Sequence, residues 1–155
     1  MIRAAALCNN ARLEQKLGNW IVHGDPTEGA LVTLAHKAGI DPEFLAQEMP
    51  RTDIIPFESE HRFMATLHHD HSGHTLVFVK GAPERVLGMC SLQRIDGEDV
   101  PIHLAHWHQT MDDIAGRGQR LLAIAFKAVP STQNQISFAD VETGLTLLGV
   151  VGMID

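Results

Sequence analysis

The sequence predicts a mixed α/β or α+β domain on a mostly antiparallel sheet, and three observations lead there. Short apolar runs with a period near two, "DIIPF", "RFMATLH" and "TLVFVK", follow one another through short polar connections, as neighbouring antiparallel strands do. The stretch from Pro26 to about Lys37 has apolar residues at 3-4 spacing, the mark of a half-buried helix. Two longer apolar runs, "RLLAIAFKAV" and "LTLLGVVG", read as buried strands on either side of a polar segment. A length of 155 residues suits one domain with one sizeable core.

In chain order, "MIRAAALCNNARL" reads as part of a helix that starts abruptly, without the apolar core and cleavage site of a signal peptide. Asp25 then stands as an N-cap, Pro26 fits the first helical position, and Glu28 holds the capping-box position three residues after the cap. Ala30, Leu31, Leu34, Ala35 and Ala38 form the apolar face of this helix, and Gly39 suits its stop. "ESEH" is the turn between the first two strands, and the His-rich "HDHSGH" links the second to the third. "PERVLGMC" is a short helix with Pro83 first, and "SLQRIDGEDVPI" carries the Asp-Gly signal of a hairpin. "HLAHWHQTMDDIAGRG" reads as a helix closed by Gly116 and Gly118, and "PSTQNQISFADVETG" as a polar loop. The run "LTLLGVVGMID" stops without cap or tail, so both ends read as cut from a longer chain.

Composition narrows the function classes. Hydrophobic residues make up 45% of the chain and charged residues 20%, without a run of 18 apolar residues, which fits neither a disordered nor a membrane-spanning chain. The formal charge is −7, and no stretch combines basic residues with aromatics, so nucleic acid and anionic membrane surfaces are poor partners. Cys8 and Cys90 sit in apolar contexts without CxxC spacing and read as buried free thiols. There is no GxxxxGK[ST], GxSxG, HExxH or paired-cysteine signature. With no catalytic residue to name, a binding domain is favoured over a self-sufficient enzyme.

Several residues carry candidate binding chemistry. Lys80 ends an apolar strand and precedes Gly81 and Ala82, whose near absence of side chain lets a flat or anionic ligand reach the backbone beside the ammonium. The plainer alternative is a strand-end lysine reaching water. Phe57 after Pro56 is either core or a stacking platform, where base stacking is worth about 1–3 kcal/mol. Arg62, five residues on, would put a second cation near the same rim. His68, His69, His71 and His74 crowd one predicted hairpin loop around Asp70, so a surface Zn²⁺ or Ni²⁺ site competes with a plain solvated loop. His103, His106 and His108 fall on the later helix beside Trp107, where partial burial or exposure is the simpler reading.

Taken together, "HGDPTEGAL" at 23–31, "PFESEHRFMA" at 56–65 and "VKGAPE" at 79–84 resemble, in order and approximate spacing, the nucleotide-binding domain of P-type cation-transporting ATPases. "RGQRLLAIA" at 117–125 and "LTLLGVVGMID" at 145–155 extend the resemblance over almost the whole chain. The resemblance implies a twisted antiparallel sheet with helices on its faces, holding ATP (Mg-ATP in the intact pump) or ADP. The γ-phosphate would pass to an aspartate on a phosphorylation domain of the same parent chain, which also carries an actuator domain. It implies a cytoplasmic domain of an integral membrane protein, without direct membrane contact of its own and without hydrolysis by this chain alone. By matched motif, Phe57 would stack on adenine, and Glu28 would accept from the adenine amino group unless it serves the cap of its own helix. Lys80, Gly81 and Ala82 would line the pocket floor, Arg120 would reach the phosphates, and Leu122 would pack nearby. Ser59 stands where many relatives carry a basic residue, which weakens a phosphate or ribose contact there. Arg62 replaces a lysine and keeps its charge. Intact "KGAPE" and "GDPTEGAL" resemble pumps for hard cations.

Two other readings compete. A small metal-binding or scaffolding module would centre on the His-rich loop. A stand-alone enzyme of the haloacid dehalogenase type would need an aspartate nucleophile in a DxD or DxT context after a strand, and Asp155 at the end of "VVGMID" has nothing after it to test.

Overall fold

A computed structural model describes residues 1–154; Asp155, the aspartate of the dehalogenase reading, lies outside the described residues. The elements run α1 (Ile2–Leu7), β1 (Arg12–Lys16), β2 (Asn19–His23), α2 (Pro26–Lys37), α3 (Pro42–Glu48), β3 (Arg51–Ile55), β4 (Phe63–His69) and β5 (Thr75–Gly81). They continue with α4 (Pro83–Leu87), β6 (Cys90–Ile95), β7 (Glu98–Pro101), α5 (Leu104–Ala115), β8 (Arg120–Val129), α6 (Phe138–Val141) and β9 (Leu145–Met153). Seven strands form one sheet in the order β3-β4-β5-β8-β9-β6-β7, antiparallel throughout except for the parallel β6–β9 pair. The mainly antiparallel sheet with flanking helices agrees with the sequence reading.

The pleat of the central strands sorts their side chains onto two cores. Phe63, Ala65 and Leu67 of β4, Val77 and Val79 of β5, and Ala123 and Ala125 of β8 face a core completed by Val86, Leu87 and Met89. On the other face Met64, Phe78 and Ile124 pack against Ala4, Ala5, Leu7 and Cys8 of the amino-terminal segment, Leu31 of α2 and Leu45 of α3. Burying one such Leu or Phe side chain contributes about 1.5–3 kcal/mol. Lys80 belongs to this second face, since it lies opposite Met64 on β4 and Ile124 on β8.

Four local expectations need correction. The amino-terminal helix stops at Leu7, because Asn9 turns its carboxamide onto the backbone: Nδ2 donates to the Ala5 carbonyl at 3.2 Å, and Oδ1 accepts from the Ala11 N–H at 2.7 Å. After it come a hairpin, β1–β2, and a helix, α3, that the sequence reading left out. The hairpin rests on α2 through Val22, whose side chain would collide with any Cβ at Gly29. α3 starts on Asp41, which accepts from the N–H groups of Glu43 and Phe44, with Pro42 in its first turn. The segment read as the polar loop 130–144 contains α6, held by a capping box between Ser137 and Asp140.

Candidate functional site

α2 begins as the sequence predicts, with Asp25 Oδ1 accepting from the N–H groups of Thr27 at 2.8 Å and Glu28 at 3.1 Å. The reciprocal half of the capping box does not form. Glu28 instead sends Oε1 to Lys80 Nζ at 2.8 Å, while Oε2 accepts from the Asn10 N–H at 3.3 Å. Both ends of the ion pair are withdrawn from water, Lys80 at 5% exposure and Glu28 at 15%. Lys80 is therefore no snorkelling strand-end lysine: a buried ammonium needs a partner, and α2 delivers one.

Above this pair opens a cleft of about 410 Å³, within the usual range for small-molecule pockets. Glu28, Phe57, Lys80, Gly81, Arg120 and Leu122, drawn from α2, the β3–β4 connection, β5 and β8, line it together. Phe57 is 59% exposed, which removes it from the core and leaves an aromatic face at the rim. Arg120 stands at the start of β8 on the surface, where Nη1 donates to Thr27 Oγ1 at 3.1 Å. The cleft thus grades from a buried, neutralised donor and acceptor pair to an exposed guanidinium.

Ser59, Arg62 and Ala82 do not line the cleft. Ser59 and Arg62 lie on the exposed turn between β3 and β4, where Arg62 adopts φ +61°. The Arg62 carbonyl accepts from the Ala82 N–H at 3.0 Å, and Ala82 is the N-cap of α4. This joins the turn after Phe57 to the end of β5. Gly81 has a reason to be glycine other than ligand approach. A Cβ there would strike the Arg62 carbonyl oxygen and stand 2.7 Å from Phe63 Cα, so close strand packing already demands it.

Asn10, Asp25, Thr27, Pro56 and Met64 also line the cleft, though the sequence does not mark them as binding residues. Asp25 and Thr27 lie inside the motif that announced α2, so their position was inferable. Asn10 becomes visible only once α1 is seen to end at Leu7. Beneath the cleft Cys8 is fully buried, its Sγ donating to the carbonyls of Met64 at 3.7 Å and Phe78 at 3.6 Å. Burial pushes its thiol pKa up, against a smaller opposing pull from Lys80.

The histidines of the alternative reading are dispersed. His68 is on β4, not in the loop, and it is buried: Nδ1 meets the Met49 carbonyl and Nε2 meets Thr66 Oγ1, each at 2.9 Å. Burial lowers its pKa to about 4. His69 pairs with Thr52, His71 with the Gln47 carbonyl and His74 with Asp70. Among the described residues no three His, Cys, Asp or Glu side chains form a metal-ligand group. His103, the N-cap of α5, and His106 and His108 on it are exposed, while Trp107 is half-buried and donates to Gln93 Oε1 at 2.8 Å.

Comparison with known proteins agrees with this architecture. A family model described as the P-type ATPase cytoplasmic domain N matches residues 1–155. The chain is 46% identical over 150 residues to the cation-transporting ATPase pma1 of Synechocystis sp., covering 96% of this chain and 16% of that protein. It is 38% identical to the probable cation-transporting ATPase F of Mycobacterium tuberculosis, covering 98% and 17% of the two chains. It is 30% identical to the calcium-transporting ATPase of Bacillus subtilis, with 100% and 18% covered. The chain therefore spans less than a fifth of the length of these curated relatives.

Proposed function

Because the chain belongs to the cytoplasmic N-domain family of P-type cation-transporting ATPases, we propose that its cleft binds ATP and presents the γ-phosphate to an aspartate on a neighbouring domain of a longer pump. The exposed face of Phe57 above the buried Glu28–Lys80 pair is the observation that carries this reading. Adenine stacks on Phe57, a contact worth about 1–3 kcal/mol. Its amino group donates to the Glu28 carboxylate, whose charge Lys80 balances, and Leu122 packs against the ring. Arg120 at the open end meets the phosphates, while Ser59 and Arg62 can touch only those parts of the ligand that pass the rim. The phosphates leave the cleft because its floor supplies no free cation and the start of α2 is closed by Asp25.

Magnesium arrives with the nucleotide in this reading. Asp25 already caps its helix through Oδ1, and Glu28 already balances Lys80, so the cleft shows no carboxylate set apart for a metal. This chain's part is to hold and orient. The phosphorylation and actuator domains of the parent, and a hard cation as its cargo, belong to the same proposal, in keeping with relatives named for cation and calcium transport.

One stacked base and a few charge contacts on an open surface support about 4–6 kcal/mol, or roughly millimolar to tens of micromolar affinity. Titrating the labelled chain with ATP, AMP and, separately, Zn²⁺ tests the reading. Shifts should centre on Glu28, Phe57 and Lys80, AMP should bind nearly as well as ATP, and Phe57→Ala should lose detectable binding. Full affinity in the Phe57→Ala variant would sink the stacking role, and Zn²⁺ shifts confined to residues 68–74 would favour the metal module.

A further inference from the structure

The turn after α1 is built more firmly than a connection requires. Asn9 is buried and, besides its bonds to Ala5 and Ala11, donates Nδ2 to the Glu28 carbonyl at 2.9 Å. Arg51 on β3 braces the same turn from the other side, with Nη2 donating to the Asn9 carbonyl at 2.7 Å and Nη1 to Asn10 Oδ1 at 2.8 Å. The Asn10 N–H then holds Glu28 Oε2. Two residues therefore fix Glu28 at its backbone and at its carboxylate, and a guanidinium fixes those two residues.

Asn10 is itself exposed and lines the nucleotide cleft. Arg51 lines the neighbouring cavity and not this one. The Asn10 oxygen is thus engaged by a residue outside the cleft, and the side-chain Nδ2 of Asn10 has no partner among the described residues. An amide whose acceptor is pinned by a charge-assisted bond, and whose donors are left over at a binding surface, is oriented before any ligand arrives.

We propose that Asn10 is a further base-reading residue of the cleft, whose side-chain N–H₂ donates to a ring nitrogen of adenine, N1 or N7, flanking the amino group accepted by Glu28. The inference rests on the nucleotide reading above. Arg51 acts through Asn10 and is a positioning residue. Donor and acceptor then match adenine edge to edge, because its amino group donates and both flanking ring nitrogens accept. Guanine places a carbonyl oxygen opposite the Glu28 carboxylate, an unfavourable meeting of two acceptors.

The test is calorimetric titration of the 155-residue chain with ATP, AMP, GTP, 1-deaza-ATP and 7-deaza-ATP. Asn10→Ala should weaken ATP and AMP alike by about five- to tenfold, the usual effect of losing one hydrogen bond. Asn10→Asp, which keeps the acceptor for Arg51 and removes the donor, should lose at least as much and covers the case of a poorly folding alanine variant. One deaza analogue should bind the unaltered chain as weakly as the Asn10→Ala variant binds ATP, and should bind that variant no more weakly still. Arg51→Met should show a smaller loss with the same non-additivity. Unchanged ATP affinity in both Asn10 variants while Phe57→Ala loses binding overturns the role of Asn10 alone, as do losses additive with both analogues. No detectable binding of ATP or AMP by the unaltered chain overturns the nucleotide reading and this proposal with it.

Discussion

Lys80 and Glu28, 52 residues apart in sequence, meet with Nζ 2.8 Å from Oε1 under the floor of the cleft. The pair joins the end of β5 to the first turn of α2, so the motifs "HGDPTEGAL" and "VKGAPE" are one structural unit. Glu28 is also the residue proposed to accept from the base, with Lys80 balancing its charge, which ties local stability to binding.

Removing one partner should expose that link. Lys80→Met leaves a mostly buried carboxylate without its counter-charge and should cost about 3 kcal/mol, while Lys80→Met combined with Glu28→Gln should recover much of the loss. Urea unfolding of the two single variants and the double variant measures the coupling. A single variant with the unaltered midpoint would make the pair incidental.

Gly81→Ala should destabilise the chain by about 2–3 kcal/mol even without nucleotide, since its Cβ has no room against the backbone of Arg62 and Phe63. Ala82→Ser is the contrasting change. Ala82 caps α4 without a side-chain hydrogen bond, so a hydroxyl there should be neutral or stabilise by up to about 1 kcal/mol. Thermal melts of the two variants decide whether packing or ligand approach governs this pair of small residues.

What the sequence made legible follows the range of each signal. The Asp96-Gly97 turn was readable because Asp-Gly is a familiar hairpin pair, and both residues adopt positive φ, 52° and 80°. The β1–β2 turn has nearly the same geometry, φ 53° and 80°, but on Leu17-Gly18, and leucine is rare in that region. Strand alternation gave no help there, because both strands of that hairpin are mostly exposed. α3 carries the same Asp-Pro start that reveals α2, but its seven residues are too short to show a helical apolar period. Phe57, Glu28 and Lys80 could be picked out by motif, yet the Glu28–Lys80 contact and the brace from Arg51 arise only when α2, β3 and β5 are brought together.

Acid should weaken the fold through His68. The unfolded chain takes up this proton near the ordinary value of 6.5, the folded protein only near 4, because burial disfavours the imidazolium. Between those values the unfolded state binds more protons, so the contribution is intact above about pH 6.5 and is lost as pH falls toward 4, by about 3 kcal/mol in all. A His68→Gln variant should show a flatter dependence of melting temperature on pH from 7 to 4.5. Parallel curves for the two proteins would show that His68 is not the group responsible.

The two thiols offer a readout of the site from below. Cys8 is fully buried and Cys90 is half-buried, and burial raises both pKa values, that of Cys90 to about 12. At pH 8 almost no thiolate is present, so a disulfide reagent should leave the native chain nearly unlabelled and modify both cysteines in urea. Cys8 reaches solvent only when α1 lifts from the carbonyls of Met64 and Phe78, and those strands carry the cleft. A nucleotide that binds only the closed form should therefore slow Cys8 labelling, by about a hundredfold at a concentration of 100 Kd. Labelling of Cys8 at the same rate with and without saturating ATP would mean that α1 opens independently of the site.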